Sequence, residues 1–418
     1  MRSSFLFMVC GLATLHAQET ILWNAEVHTG AGKVLPRATV VVEGSKIKKI
    51  ITEAYDTTGK HAINLTGKQL YPGFIAPCAT IGLTELASVR GQNDYKEVGT
   101  FNPNVRTLIA YNTDSEIIPT LRQNGVLMAH IAPKGELIAG QSSVVTLYGH
   151  NWEDAAYKAD IGIHLFWPSK YIGYVWWEDM APKANDKYSK QIQEIERYFS
   201  DAQAYAKEKT PERKNLKLEA MKGLYDSTKT LFVHAHLSSQ ITEAVLFCKR
   251  AKVKKVVIVG ALDAEDAIPL MAENKIPVIF TRVHSLPAHS HSDIRQAYKM
   301  PRKLQDANLL YCLSYEGDME AMGTRNLPFT AGSAVAYGLS KEQALSSITY
   351  NTARILGIDQ SCGSIAEGKD ATLFVSEGDA LDMIGNKVVY ALIKGVRQEL
   401  RSRQDDLYDT YKNKSNAK

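Results

Sequence analysis

The sequence predicts an α/β fold in which a (β/α)8 barrel carries smaller β-structure at both ends of the chain. From residue 71 to 359, short apolar runs such as GVLMAHI and TLFVHAH alternate with helical patterns. Runs of this kind are typical of parallel strands buried on both faces, and about eight such units suit a barrel. Further strand patterns occupy residues 18–70 and 360–400, and each set is too small to hold a core alone.

The helical stretches are clearest at residues 188–209, 241–251, 264–273 and 341–356. Before the predicted barrel, ATVVVEGSKIKKI has β-branched residues on both sides of a Glu-Gly-Ser turn, which predicts a hairpin. Residues 401–418 are charged and poor in apolar side chains. We therefore expect this charged tail to be frayed.

The composition is that of an ordinary globular protein, with 418 residues, 45% hydrophobic and 22% charged. The formal net charge is only +4, and the basic residues are scattered. Small clusters such as Lys252, Lys254 and Lys255 are interpreted as solvated helix ends. No nucleic-acid partner is predicted.

Residues 1–17 are predicted to be a secretory signal peptide. Arg2 supplies the positive start, Phe5 to Leu15 the apolar run, and Ala17 a small residue before the cut. A lipoprotein anchored at Cys10 is the weaker alternative, because few apolar residues precede that cysteine. No later stretch approaches the ~20 apolar residues of a membrane span. We therefore expect an exported, periplasmic or extracellular protein.

Four cysteines follow the predicted signal peptide, and their spacing is wide and forms no CxxC motif. Three of them lie within apolar runs, where a buried free thiol is the common outcome. No structural disulfide is predicted among the four, which are Cys78, Cys248, Cys312 and Cys362.

Two segments of the chain carry a family resemblance. Residues 71–85 read YPGFIAPCATIGLTE, and residues 351–375 read NTARILGIDQSCGSIAEGKDATLFV. They resemble the two ends of an amidohydrolase-superfamily barrel, from the imidazolonepropionase-like, secreted branch of metal-dependent hydrolases. The resemblance implies a TIM-like barrel with a small composite β-sandwich built from both termini. The second segment is architectural and identifies the fold.

The resemblance also implies a metal site at the carboxyl ends of the barrel strands. In the family, the first segment continues with two histidines at alternate positions, and here those positions are Cys78 and Thr80. The histidine of strand six falls at Gly260. Cysteine is a soft anionic ligand, threonine is a poor one and glycine has no side chain to offer. These three are the substituted ligand positions.

Other family positions keep side chains that could carry chemistry. In the VHAH run, His234 and His236 are the candidate metal ligands, or else core residues bonded to their neighbours. Glu316 takes the place of the family's catalytic aspartate, and Asp318 is the second catalytic candidate if the register slips. The alternative for both is an acidic loop in solvent. His164 is interpreted as a core residue.

A histidine-rich run and an aromatic segment lie outside the family's site positions, and each could be functional or structural. The run RVHSLPAHSH contains three histidines that are either a metal site or adventitious binders, namely His284, His289 and His291. An aromatic segment covers the pocket mouth or packs against a partner subunit, or its role is structural as core or lid packing, and its tryptophans are Trp152, Trp167, Trp176 and Trp177.

Two functions follow from the resemblance and its substitutions. The first is a hydrolase of non-peptide carbon–nitrogen bonds with a reduced or altered metal site, acting on a small amide-type substrate. The second is a catalytically inactive binding or partner protein, and its partner would be a second copy or an active paralogue. No cofactor is identified from the sequence, and zinc is the candidate if an ion is bound.

Overall fold

The computed structural model describes residues 19–172, 183–208, 211, 213–289, 291–317 and 319–416. The strands are β1 Glu19–His28, β2 Val34–Glu43, β3 Lys46–Ile51, β4 Ala62–Asn64, β5 Gln69–Pro72, β6 Phe74–Ala79, β7 Val126–Ile131, β8 Ile138–Thr146, β9 Ala156–Phe166, β10 Tyr171–Ile172, β11 Lys183–Ala184, β12 Thr230–Leu237, β13 Val256–Asp263, β14 Val278–Thr281, β15 Tyr311–Ser314, β16 Leu373–Ser376, β17 Val388–Ile393 and β18 Val396–Arg397.

The helices lie mostly between the later strands, as the sequence pattern predicts. They are α1 Ile117–Arg122, α2 Trp152–Ala155, α3 Tyr188–Lys207, α4 Leu216–Met221, α5 Gly223–Asp226, α6 Ser238–Arg250, α7 Ile268–Glu273, α8 Gln296–Asp306, α9 Glu320–Gly323, α10 Leu327–Ala336, α11 Lys341–Ser347, α12 Tyr350–Leu356 and α13 Arg403–Asn416.

Eight strands form a near-closed sheet in the order β6-β7-β8-β9-β12-β13-β14-β15. The Ser314 hydroxyl of β15 donates to the Pro77 carbonyl of β6 at 2.7 Å, so the first and last strands lie side by side. The expectation of parallel pairing throughout is wrong for β8, which is antiparallel to β7 and to β9. The connection from β7 to β8 spans only residues 132–137, and a parallel crossover needs a dozen or more.

A second eight-stranded sheet joins the two ends of the chain. Its order is β18-β17-β16-β5-β1-β2-β3, and β4 pairs with β1. The junction is the antiparallel pair of β5 and β16, where Leu70 lies opposite Val375. Leu22, Val40 and Leu373 belong to the apolar cluster of this sheet. The two sets of terminal strands thus bury their apolar side chains together, because neither could do so alone.

The inside of the near-closed sheet is filled by alternate residues of its strands. Met128, Phe232 and Val259 belong to one buried cluster with Ile279 and Cys312. Side chains of a strand alternate between its two faces, so the residues between them face the surrounding helices. The same cluster includes side chains of α12, which lies against the amino ends of the strands.

Several sequence predictions can be compared with this fold. The four cysteines of the described residues are free and buried, as predicted. The tail is not frayed: residues 403–416 form α13, whose side chains are mostly exposed. The predicted signal peptide, Asp318, Trp176 and Trp177 lie outside the described residues. None of the helices in the described ranges is both long and apolar enough to cross a membrane.

Candidate functional site

Three buried histidines converge from strands β7, β9 and β12 of the near-closed sheet. His130 is the penultimate residue of β7, His164 lies near the end of β9, and His234 lies in the second half of β12. The ring centroids of His130 and His164 are 5.6 Å apart, and those of His164 and His234 are 5.2 Å apart. Nδ1 of His164 hydrogen-bonds Nε2 of His234 at 2.9 Å. Sequence reasoning singled out His234, took His164 for a core residue and missed His130.

Strand alternation brings the three rings together. His130 lies two residues after Met128, and His234 two residues after Phe232, so both continue the inward-facing row of their strand. The Phe232 ring contacts the His130 and His164 rings, with both centroid distances 4.9 Å. In the run GVLMAHI, His130 alternates with Met128 on the inward face of the strand, and this spacing could have identified it from the sequence.

Burial keeps two of these imidazoles neutral. Burial, and next the charge that His234 can carry, lower the pKa of His130 to about 3. The same causes lower the pKa of His164 well below its ordinary value. The backbone N–H of Cys78 donates to Nδ1 of His130 at 3.3 Å, so that nitrogen carries no proton. His130 therefore bears its proton on Nε2, which has no hydrogen-bond partner among the described residues.

Cys78 is a neutral thiol within this cluster. Its Sγ lies 3.8 Å from Nδ1 of His130, and burial raises the pKa of the thiol well above its ordinary value. A metal ligand would have to be the thiolate, which this environment disfavours. Thr80 is also buried, and its backbone carbonyl accepts a hydrogen bond from the Leu83 N–H at 3.0 Å. Neither side chain replaces the imidazoles that the family places here.

Gly260 leaves no room for a side chain. Its φ is +114°, and an added Cβ would lie 2.7 Å from the Ala235 carbonyl oxygen and 2.7 Å from Nδ1 of His236. His236 follows a shift in the β12–β13 register and is exposed, whereas His234 is buried. The structure therefore places the two predicted histidine ligands in different environments, and the His236 ring occupies the space beside Gly260.

A carboxylate continues the histidine chain toward the loops. Oε1 of Glu316 lies 3.6 Å from Nδ1 of His234. Burial raises the pKa of Glu316, but its interaction with His234 and the charge of Lys134 outweigh burial, so the net pKa is lowered. An ionised Glu316 favours a proton on Nδ1 of His234, whose Nε2 then accepts from His164. The other oxygen of Glu316, Oε2, is buried and has no partner in the described part of the chain.

A second carboxyl group and a lysine complete the site. Glu320 is 4% exposed and contacts the Lys134 ammonium. Burial raises the pKa of Glu320 to about 7, although Lys134 opposes this change. Both residues were missed from the sequence, because Lys134 follows β7 and Glu320 begins α9, 186 positions later. The arrangement can accept hydrogen bonds at Glu316 and Glu320, and it can donate one from Lys134.

The remaining sequence candidates lie apart from this cluster. His284 bonds the Ser333 hydroxyl at 2.7 Å, and His289 lies 3.3 Å from an Asp263 carboxylate oxygen. The His289 and His291 rings stack with centroids 5.3 Å apart. Trp167 is buried against Phe247, which confirms the core interpretation for that tryptophan. Within the described ranges, no three His, Cys, Asp or Glu side chains are arranged to hold a metal ion.

Catalytic and ligand-binding sites of barrel proteins lie at the carboxyl ends of the strands, and comparisons show which known proteins this chain is similar to. The profile described as "Amidohydrolase family" matches residues 200–399. An amidohydrolase from Thermotoga maritima MSB8 shares 24% identity over 91% of this chain and 100% of its own, with a TM-score of 0.78. No curated protein sequence matches the chain.

More distant structures share the fold. A prolidase complexed with N-methylphosphonate-L-proline is 17% identical over 92% of this chain and 100% of its own, with a TM-score of 0.56. Phenylurea hydrolase B is 14% identical over 92% of this chain and 97% of its own, with a TM-score of 0.55. Residues 200–399 thus match the amidohydrolase family profile, and the whole chain shares its fold with solved amidohydrolases.

The residues present do not fit the metal centre that this family implies. Where the resemblance predicts two histidines, Cys78 is a neutral thiol and Thr80 is a threonine, and Gly260 has no room for a ligand side chain. The imidazoles of His164 and His234 bond each other at 2.9 Å, whereas two nitrogens on one tetrahedral zinc lie about 3.3 Å apart at ordinary Zn–N lengths. This bond occupies one nitrogen of each ring that a metal ion would need.

Proposed function

We propose that this chain is an amidohydrolase-fold protein that binds a small amide-type molecule without the family's metal-dependent hydrolysis. The observation that carries the proposal is that Cys78, Thr80 and Gly260, which replace the expected histidines, supply no metal ligand. The fold needs no histidine at these positions, since Cys78 and Thr80 are buried and Gly260 leaves no space for a side chain. The substitutions thus remove chemistry and leave the scaffold intact.

The side chains that remain suit an amide-type ligand. The unpartnered Oε2 of Glu316 can accept from an amide N–H, and the Lys134 ammonium can donate to a carbonyl oxygen. Both lie where family members hold their substrates if the sheet closes into the (β/α)8 barrel. The contact between Ser314 and Pro77 supports that closure. The proposal also includes export, which rests on the signal-like residues 1–17.

A second candidate function is hydrolysis of a carbon–nitrogen bond with a reduced or altered metal site. It is favoured by buried polar atoms that have no partner among the described residues, namely Nε2 of His130, Nε2 of His164 and Oε2 of Glu316. Unpartnered buried atoms of this kind require an explanation, and an ion or an ordered water is one.

Metal analysis of the purified chain separates the two candidates. We expect residues 18–418, expressed without added metal, to contain far less than one zinc per chain by elemental analysis. The variant carrying Cys78→His and Thr80→His should gain zinc, because it has two neutral imidazoles at the positions where the family resemblance predicts metal ligands. Stoichiometric zinc in the natural protein that is lost on His234→Ala would overturn the binding proposal and establish the second candidate.

Two further variants make this result specific. His289→Ala with His291→Ala removes the exposed histidine pair, so zinc that disappears with it is adventitious. Hydrolysis of a panel of N-acyl amino acids and phenylureas is measured in parallel, with His234→Ala and Glu316→Gln as variants of the site. Turnover that both variants abolish contradicts the binding proposal. No turnover, together with ligand-induced thermal stabilisation that Glu316→Gln removes, supports it.

A further inference from the structure

The amino ends of the strands surround a cavity that differs in charge from the candidate site. Its volume is about 410 Å³, within the range of small-molecule sites. The residues that begin or precede four strands line it: Thr230, Val256, Pro277 and Leu310. The side of the sheet opposite the histidine cluster therefore holds a concave surface that the proposed function does not use.

Five cationic side chains line this cavity, and no acidic residue does. They are Lys249, Lys254, Lys255, Lys275 and Arg354. All five are exposed, and in the described part of the chain no carboxylate lies within salt-bridge distance of them. The adjacent Arg250, which is not part of the lining, is paired instead with Glu196 at 3.2 Å. The cationic charge of the cavity is thus left uncompensated.

Uncompensated charges at this density repel one another. Burial, and next the charge of Lys255, lower the pKa of the nearby Lys158 ammonium. Lysines after a helix are commonly explained by the helix dipole, and Lys249 fits that explanation as a last-turn residue of α6. Lys275 follows a different helix, α7, and Arg354 is a last-turn residue of a third helix, α12. Lys254 and Lys255 lie between α6 and β13, so helix ends do not account for all five cations.

We propose that this cavity binds a phosphate-bearing anion with two or more negative charges. Lysine and arginine are the residues that recognise phosphate groups, and a bound polyanion would relieve the repulsion among the five cations. The lining also has an apolar part, including Val245 and Ile276. The ligand is therefore a small phosphorylated compound or the headgroup of a phospholipid, which share this chemistry.

Calorimetric titration of the whole chain with sodium pyrophosphate tests the proposal. We expect saturable binding that weakens as salt is raised from about 50 to about 200 mM, because ionic screening increases. Lys255→Gln with Lys275→Gln should weaken binding about tenfold or more. Both side chains are exposed, so the variant should fold normally, which circular dichroism verifies.

The matched control removes the same charge outside the cavity. Lys252→Gln with Lys49→Gln changes two exposed lysines that do not line it, and we expect pyrophosphate affinity within about twofold of the natural chain. Absence of saturable binding overturns the proposal. An equal loss of affinity in the control overturns it too, because the attraction would then belong to overall charge.

Vesicle sedimentation identifies the source of the phosphate. Vesicles of phosphatidylglycerol that sediment the chain, and lose it when pyrophosphate is added, indicate a lipid headgroup in the cavity. Pyrophosphate binding without vesicle binding indicates a soluble phosphorylated compound. Vesicle binding without pyrophosphate binding overturns the cavity proposal, because a charged surface alone would explain it.

Discussion

The near-closed sheet buries titratable side chains at the carboxyl ends of its strands and exposes cationic side chains at the amino ends. At the carboxyl ends, His130, His164 and Glu320 are buried, and their pKa values shift toward the neutral forms. At the amino ends, Lys255 and Lys275 are exposed and line a cavity that has no acidic residue among its described lining. Burial of an unpaired charge is costly, whereas an exposed charge interacts weakly with its surroundings. Protonation of the buried His130, His164 and Glu320 is therefore coupled to folding, whereas the charges of the exposed lysines affect stability only weakly.

The largest expected effect comes from removing the ring beneath the histidines. Phe232→Ala should lower the free energy of unfolding by about 3–5 kcal/mol, because the ring is fully buried and a cavity remains. Urea unfolding followed by circular dichroism measures it. Leu246→Ala, at a side chain 42% exposed, should stay within about 0.5 kcal/mol. A Phe232→Ala cost as small as that of the control would show that the histidine cluster does not depend on this packing.

Placing a histidine at Gly260 of β13, where the resemblance predicts a ligand, should be the next most damaging change. Gly260→His combines a φ of +114° with contacts of 2.7 Å to the backbone and to His236, so we expect a loss of about 3 kcal/mol or more. Gly59→His isolates the backbone effect, since Gly59 has a φ of +72° and open space around it. That control should cost about 1–2 kcal/mol. Equal losses would contradict the steric argument.

The buried carboxyl group should make stability depend on pH. The pKa of Glu320 is about 7 in the folded protein against an ordinary 4.5, so the native state holds the proton more tightly. Its stabilisation is complete below about pH 4.5 and is lost as pH rises through 7. Between these values the natural chain should lose up to about 3 kcal/mol relative to Glu320→Gln.

Unfolding in urea across this pH range measures the difference between the two proteins. Glu153→Gln, at an exposed carboxylate, is the control and should track the natural chain. A constant gap between the natural chain and Glu320→Gln from pH 5 to 8 would contradict the expected proton binding.

The smallest effect is expected at the amino ends. Lys255→Gln should change the free energy of unfolding by less than about 0.5 kcal/mol, and in the stabilising direction at low salt, since it relieves repulsion. Thermal unfolding at low and high salt measures this. A clear loss of stability would show that Lys255 has a structural partner and would weaken the contrast between the two ends.

Much of the fold follows from local pattern. The helix predicted over residues 188–209 is α3, Tyr188–Lys207, and the run TLFVHAH lies within β12. β8 was not among the strands predicted from the sequence, and the connection of only six residues between β7 and β8 is the physical reason for their antiparallel pairing. The helix predicted over 341–356 is divided into α11 and α12.

The candidate site was only partly predictable. His234 and Glu316 were identified through the family pattern, and the structure brings them within 3.6 Å of each other. Lys134 and Glu320 were not singled out by any local pattern, and His130 was overlooked although strand alternation places it on the same face as Met128. Their roles depend on which distant residues they meet, and Glu320 meets Lys134 across 186 positions of sequence.

The sequence by itself determined the resemblance to the amidohydrolase family, the alternation of strands and helices, and the residue types at Cys78, Thr80 and Gly260, because each of these depends on residue type and spacing. Only the tertiary structure decided which titratable groups lie in water and which do not. Proton affinity depends on burial and on neighbours within a few ångströms, and the chain acquires both only when strands far apart in sequence come together.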